Sequence, residues 1–530
     1  MSAPESHRRE PSARFAGFVR AQDGRLVAAN GERTQFRGVG LGNWLLPEGY
    51  MWKFPSEAQS PREIEAQIVR LAGADYAQRF WQVFRERYIT EADIAQIAQS
   101  GFDHVRLPIN ARVIQDSNGE SIEAGYAHID RLLAWCEGHG LHVLLDLHGA
   151  PGGQTGTNID DSPHMRPDLF LKPHYRDLTI ELWRTMATRY AGNTVVMGYD
   201  LLNEPLPNEW QHQFPNELVA LYQDITVAIR EVDADHLIMY EGSHWATNWD
   251  IFTDVWDDNS ALQFHKYWSA PDRESLAPYL DARERLGLPI YMGEGGENTL
   301  EWLYAAFRLY EAEEIGWNLW PWKKLDTQTS PVSASAPSGW PRLVAAMAGR
   351  ADIGASDARR ILDDYLAAVE FDACEFRPDV VHAVMASEPA VVPAWGFGHR
   401  GPNVSHGGPS KASDAVAPTG FRASDGVPIS FASGRPGPDN PFTQNDGKVY
   451  SDEEMLIVRL APGQWLEFEM AAPPPLAMLS VVDQRGALVP ASLERTNAGV
   501  RVGAPQDGGT LEFARIVRSR VFGAGESEGQ

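Results

Sequence analysis

From residue 34 onward the chain alternates short apolar runs with longer segments of helical period. The runs at 36–41, 105–109, 143–147, 195–202, 237–240, 262–264, 290–292 and 317–319 are continuously apolar, the mark of strands covered on both faces. Between them, 91–101, 126–140, 178–192 and 216–232 repeat apolar residues every three or four positions, as amphipathic helices do. Such an alternation predicts a parallel sheet with helices packed on it. Eight strands over roughly 290 residues predict a (β/α)8 TIM barrel rather than an open doubly wound sheet, although periodicity alone does not show closure.

The texture changes after residue 326. "SPVSASAPSGWP" (330–341) reads as a loop, and two further helices are predicted near 341–349 and 356–370. The stretch 393–419 is rich in Gly, Pro and Ser and reads as a linker or long loop. Beyond it, "MLIVRLAPGQWLEFEM" (455–470) and "LAMLSVVDQRGALVPASL" (476–493) are short β-rich runs broken by Pro and Gly, which predicts a small all-β sandwich at 420–520. The expected organisation is therefore a barrel with additional helices at 15–392, the linker, the sandwich, and disordered tails at 1–14 and 521–530.

Composition narrows the function classes. A chain of 530 residues is too long for one ordinary core, and 43% hydrophobic with 22% charged residues is globular. A formal net charge of −26 argues against a nucleic-acid or anionic-membrane partner. No apolar run is long enough to span a membrane, and "MSAPESHRREPSARFAG" lacks the apolar core of a secretory signal, so a cytoplasmic location is expected. Two cysteines, Cys136 and Cys374, make neither a disulfide framework nor a metal site. The 17 Trp and 16 Tyr mostly fill cores, though flat rings also serve as sugar platforms. None of these features fixes the oligomeric state.

A barrel of this kind carries its chemistry at the C-terminal ends of its strands. Those ends hold Asn43, Trp44 and Glu48 after the first strand, Arg106 in the second, Asp146 and His148 in the third, and Asn203 and Glu204 after the fourth. His265 and Tyr267 follow the sixth, Glu294 the seventh, and Trp320 the eighth. Singly each has an ordinary reading. Asn-Glu-Pro in "GYDLLNEPLP" (198–207) can end any strand, Arg106 can pair with a buried carboxylate, His148 and His265 can be hydrogen-bonded core residues, and Trp320 can be core. Asp146, inside a strand, reads as a brace. Together at one rim they need a common explanation.

Two carboxylates at the ends of the fourth and seventh strands match the needs of glycoside hydrolysis, one protonating the leaving oxygen and one attacking or activating water. The acid must hold its proton at neutral pH, which a neighbouring negative charge favours. The attacking group must stay ionised, which Arg106 and the Tyr267 hydroxyl would favour. Asn203 beside the acid can bond the sugar hydroxyl next to the anomeric carbon. Glu297 is a rival to Glu294, but it falls three residues later, where a helix should begin and an acid merely stabilises the first turn.

These ordered motifs, over residues 34 to 326, resemble the family-five glycoside hydrolases of the (β/α)8 glycosidase clan. The resemblance implies retaining hydrolysis of β-glycosides, with Glu204 as acid/base and Glu294 as nucleophile. It places Arg106, His148, Asn203, His265, Tyr267 and Trp320 around the sugar. "GVGLGNWLLPEG" and "DLHGAPGGQTG" are most similar to the exo-acting β-1,3-glucosidase branch, in which the position of Glu48 binds the terminal sugar. The chain departs from that branch in a longer loop, "TGTNIDDSPHMRPDLF", where Asp160 and Asp161 are sugar contacts or turn residues, and in Gly295, where an aromatic is common. The tail domain is foreign to the branch.

The expectation is a retaining β-glycosidase, exo-acting on β-glucosides or short oligosaccharides, with no cofactor and no metal. An endo-acting β-glucanase or β-mannanase is the alternative within the class. A non-catalytic carbohydrate-binding barrel is the alternative outside it. A metal-dependent hydrolase using His148 and His265 as ligands is a further one.

Overall fold

The computed structural model describes residues 14–408, 420–443, 447, 450–505 and 508–518. The expected tails, apart from Arg14, and the 409–419 part of the expected linker lie outside the described residues. The chain divides into two compact units, one of 1–266, 278–295 and 315–376, the other of 267–277, 296–314 and 377–530.

The first unit contains a closed eight-stranded parallel barrel. Its strands are β1 (Arg37–Gly40), β2 (His104–Asn110), β3 (His142–Gly149), β4 (Val196–Asp200), β5 (Leu237–Glu241), β6 (Ser260–His265), β7 (Ile290–Gly296) and β8 (Gly316–Trp320). Each pairs with the next, and β8 closes on β1 through Trp317–Arg37, Asn318–Gly38 and Leu319–Val39. Nearly every strand residue is buried, as continuous apolar runs require of strands covered inside and out.

Glycines explain how β1 fits. Its side chains alternate, so Gly38, Gly40 and the following Gly42 share one face. A Cβ on Gly38 would fall 2.2 Å from His104 Nε2, and Cβ atoms on Gly40 and Gly42 would fall 2.5 and 2.6 Å from the Trp320 ring. The "GVGLG" run is thus the space that lets Trp320 lie against the first strand. At the other end, the hairpin of Arg20–Gln22 and Arg25–Val27 brings Val19 and Leu26 against Phe36, Leu144, Met197, Leu237 and Tyr291, covering the barrel bottom.

Helices α1 (Pro61–Ala72), α2 (Ala74–Arg87) and α3 (Glu91–Gln99) lie between β1 and β2. Helices α4 (Glu123–His139), α5 (Pro173–Tyr190), α6 (Pro215–Arg230) and α7 (Ala277–Leu286) follow β2, β3, β4 and β6. No helix separates β5 from β6; that connection is irregular.

The second unit differs from the organisation expected of it. Within 391–408, which overlaps the linker or long loop expected at 393–419, two short stretches make strand pairings. Val391–Pro393 pairs with Arg515–Arg518, His406–Gly407 pairs with the strand Trp465–Glu469, and Trp395 between them is 3% exposed. Its composition hides this because the backbone, not the side chains, makes those pairings. The helix Leu300–Ala312 also belongs to this unit, and ten of its residues are buried. The helix Pro378–Met385 and the strand Val391–Pro393 cover part of it. Among the described residues the rest is three small sheets, antiparallel throughout. Phe468 and Phe513, from two of them, meet edge to face at 6.4 Å. Among the described residues no helix is long and apolar enough to cross a membrane.

Candidate active site

The C-terminal ends of the barrel strands bring Arg106, His148, Asn203, Glu204, His265, Glu294 and Trp320 into one connected cluster. Arg106, fully buried in β2, is its hub. Nε donates to Asp200 at 2.8 Å, and Nη2 donates to Asn203 Oδ1 at 2.9 Å and to Glu241 Oε1 at 3.0 Å. The same nitrogen lies 3.2 Å from Asp146, and Nη1 donates to Glu294. A guanidinium is always charged and offers five donors in a fixed fork, so this buried position suits Arg alone.

Glu204 and Glu294 face each other across His265. One oxygen of each and a ring nitrogen of His265 all lie within 4.8 Å of one another. His265 Nδ1 donates to Glu204 at 2.8 Å and is 3.6 Å from Glu294, while Nε2 is 3.3 Å from Glu241. Burial opposes charge on this imidazole, but Glu241, Glu294 and the hydrogen bond to Glu204 override it and hold its pKa well above the usual histidine value. It is an imidazolium donating from both nitrogens.

His148 behaves oppositely. Burial lowers it to about 4, so it is neutral near pH 7. Nδ1 bonds Asp146 at 2.7 Å as the donor, which leaves Nε2 to accept from Asn203 Nδ2 at 3.3 Å. Its ring stacks on Trp320 at 5.5 Å, nearly parallel, and Trp320 Nε1 donates to the Tyr50 hydroxyl at 2.9 Å.

Charge within the cluster is balanced by protonation. Burial pushes Asp146 up to about 8 against the pull of Arg106, and burial also raises Asp200 far above its ordinary range. Burial works against the charge of Glu241 too, yet His265, Arg106 and the Glu204 N–H outweigh it and lower its pKa. Glu294 is raised by burial and by Glu204, with His265 and Arg106 pulling the other way. Two cations, Arg106 and His265, thus face three glutamates.

The remaining expected residues fall as follows. Glu48 is buried beyond β1, its N–H on Asn43 Oδ1 at 3.1 Å, and its loop reaches the cluster through Tyr50. Tyr267, two residues past His265, and Glu297 both belong to the second unit; Tyr267 packs beside Trp268 there. Asp160 accepts from Thr155 N–H and from Ser162, and Asp161 pairs with Arg112, so both build the loop. Gly295 leaves no room for a side chain, because a Cβ would meet the Lys266 carbonyl at 2.9 Å. The sequence reading missed Asp200, Glu241, Gln263 and Gln154. Gln154 Nε2 donates to the carbonyls of His148 at 2.7 Å and Asn203 at 2.9 Å, fixing two site residues at once.

Asp146, Asp200 and Glu241 also have metal-like spacing, but the Arg106 guanidinium contacts all three and already supplies the cation. Glu204, His265 and Glu294 have metal-like spacing as well, whereas His148 Nε2 faces an amide.

A closed barrel presenting two facing carboxylates beyond β4 and in β7 has the two groups that hydrolysis of an O-glycosyl bond needs. The cellulase (glycosyl hydrolase family 5) family model matches residues 65–326, so the chain carries a domain of that family. Among curated relatives, a β-xylosidase from Phanerodontia chrysosporium is 27% identical over 354 residues, 59% of this chain and 72% of that protein. Endoglucanase C from Acetivibrio thermocellus is 27% identical over 317 residues, 46% of this chain and 88% of its own. A probable glucan 1,3-β-glucosidase A from Emericella nidulans is 30% identical over 275 residues, 49% and 66% respectively.

Proposed function

We propose that this hydrolase is a retaining β-glycosidase working by double displacement, with Glu294 as nucleophile and Glu204 as acid/base. The observation that carries this is that an oxygen of one carboxylate lies within 4.8 Å of an oxygen of the other. Retaining pairs stand about 5–5.5 Å apart, whereas inverting pairs leave about 6.5–9.5 Å for a water.

In the first step a Glu294 oxygen attacks the anomeric carbon while Glu204 gives its proton to the departing oxygen, leaving a glycosyl ester. In the second, Glu204 takes a proton from water as the water displaces Glu294. Arg106 and His265 favour the negative charge on Glu294 before its attack and again as water displaces it. The neutral His148 keeps Asn203 turned toward Arg106, and Trp320 offers a fixed ring beside them.

As to substrate, we place the chain among exo-acting enzymes on β-glucosides or short β-gluco-oligosaccharides. The names of the β-xylosidase and glucan 1,3-β-glucosidase relatives support this, together with the burial of Glu48 in the loop after β1. The endoglucanase relative, covered over 88% of its length, supports an endo-acting reading instead.

Product analysis on β-1,3-, β-1,4- and β-1,6-linked oligosaccharides and aryl β-glycosides distinguishes the two. Monosaccharide from the first time points is expected; larger first products would favour the endo reading. Glu294→Gln should abolish turnover. Glu204→Ala should lose about 10²–10⁴-fold on poor leaving groups. It should keep activity on very good ones, and azide should restore it with formation of a β-glycosyl azide. Near-normal rates in Glu294→Gln would overturn the assignment, and a chelator should leave the wild type unaffected.

A further inference from the structure

Glu241 ends β5, is fully buried, and has no part in the two displacement steps. Its carboxylate is nevertheless bound to the acid from both ends. Oε2 accepts the backbone N–H of Glu204 at 2.7 Å. Oε1 accepts from Gln263 at 2.6 Å and from Arg106 at 3.0 Å, and lies 3.3 Å from His265 Nε2. That same imidazolium donates from Nδ1 to the Glu204 carboxyl at 2.8 Å. One side chain therefore holds the main chain of Glu204 directly and its carboxyl through one intervening ring.

The backbone of Glu204 needs such a hold. Its φ is +44°, in the left-handed region that a side chain with a Cβ disfavours. The neighbouring N–H, that of Asn203, bonds the Leu147 carbonyl of β3, while the Glu204 N–H turns to the side chain of β5. A hydrogen bond to an ionised acceptor is roughly twice as strong as a neutral one. Glu241 is in turn fixed by α6, because the Tyr222 hydroxyl donates to its carbonyl at 3.0 Å.

We propose that Glu241 is the positioning residue of the acid: it fixes the strained backbone of Glu204 and, through His265, the direction of its carboxyl. This rests on Glu204 being the acid/base. The consequence is specific, since misaiming the acid slows only those cleavages whose leaving group needs a proton.

The test is kcat/KM for wild type, Glu241→Ala, Glu241→Gln and Glu204→Ala on two aryl β-glycosides. One carries 2,4-dinitrophenolate, which departs unprotonated, and the other phenolate, which needs the proton. Their ratio does not depend on how much of the protein is active, so partial misfolding does not distort it. Glu241→Ala should raise the ratio at least about tenfold. Glu241→Gln should raise it less, because its carboxamide oxygen can still accept the Glu204 N–H. If Glu241→Ala does not fold, Glu241→Gln is read by the same ratio. An unchanged ratio in the folded Glu241 variants, with Glu204→Ala raising it, would overturn the positioning role alone. An unchanged ratio in Glu204→Ala would overturn the acid assignment beneath it.

Discussion

At the residue scale, the buried acids differ in what they do with their protons. Glu294 must be ionised to attack, and burial with Glu204 beside it raises its pKa above the ordinary glutamate value of 4.5. The acidic limb of kcat/KM, which reports the free enzyme, should therefore lie above pH 4.5. A limb at or below that value would contradict the balance of charges described for the cluster. Asp146 supplies a second pH dependence, in stability rather than rate. Folded, it keeps its proton up to about pH 8; unfolded, it loses it near 3.8. The folded state binds the extra proton across that window, so this group makes stability fall as pH rises through it. Asp146→Asn cannot titrate, and its oxygen can still accept from His148 and Arg106. Melting temperature measured from pH 5 to 8 should decline less steeply in Asp146→Asn than in wild type, and identical slopes would refute the account.

At the scale of elements, all eight barrel strands were legible as apolar runs, with ends displaced by a few residues, because strands covered on both faces leave no polar break. The site was legible where a polar residue lies within two positions of the end of such a run, as Glu204 and Glu294 do. Glu241 shows the limit. The apolar run at 237–240 stops one residue before it, and a carboxylate just past a strand looks like a solvated end. Only the packing of β5 between β4 and β6 turns it inward beside Asp200 and Gln263. Helix α1 had a readable start, Ser60 and Glu63 forming a capping box ahead of Pro61, yet it was absent from the reading. The glycines of β1 carry a prediction of their own. Gly40→Ala puts a Cβ where the Trp320 ring lies, and overpacking of this kind costs about 1–3 kcal/mol. The variant should melt lower and show a raised KM, because the displaced ring is the one stacked on His148. An unchanged KM would mean that Trp320 does not contact substrate.

At the scale of the whole molecule, the barrel accounts for the chemistry and the second unit has no assigned part in it. The barrel has a guanidinium and an imidazolium set among five carboxyl groups, all supplied by its strands or the loop residues that follow them. The spacing of two of those carboxylates sets whether one of them or a water attacks, and stereochemistry reads this directly. Proton NMR of the sugar released in the first minutes from an aryl β-glycoside, before mutarotation, should show the β-anomer. First-formed α-anomer would mean a single displacement by water, and would contradict the assignment of Glu294 as nucleophile.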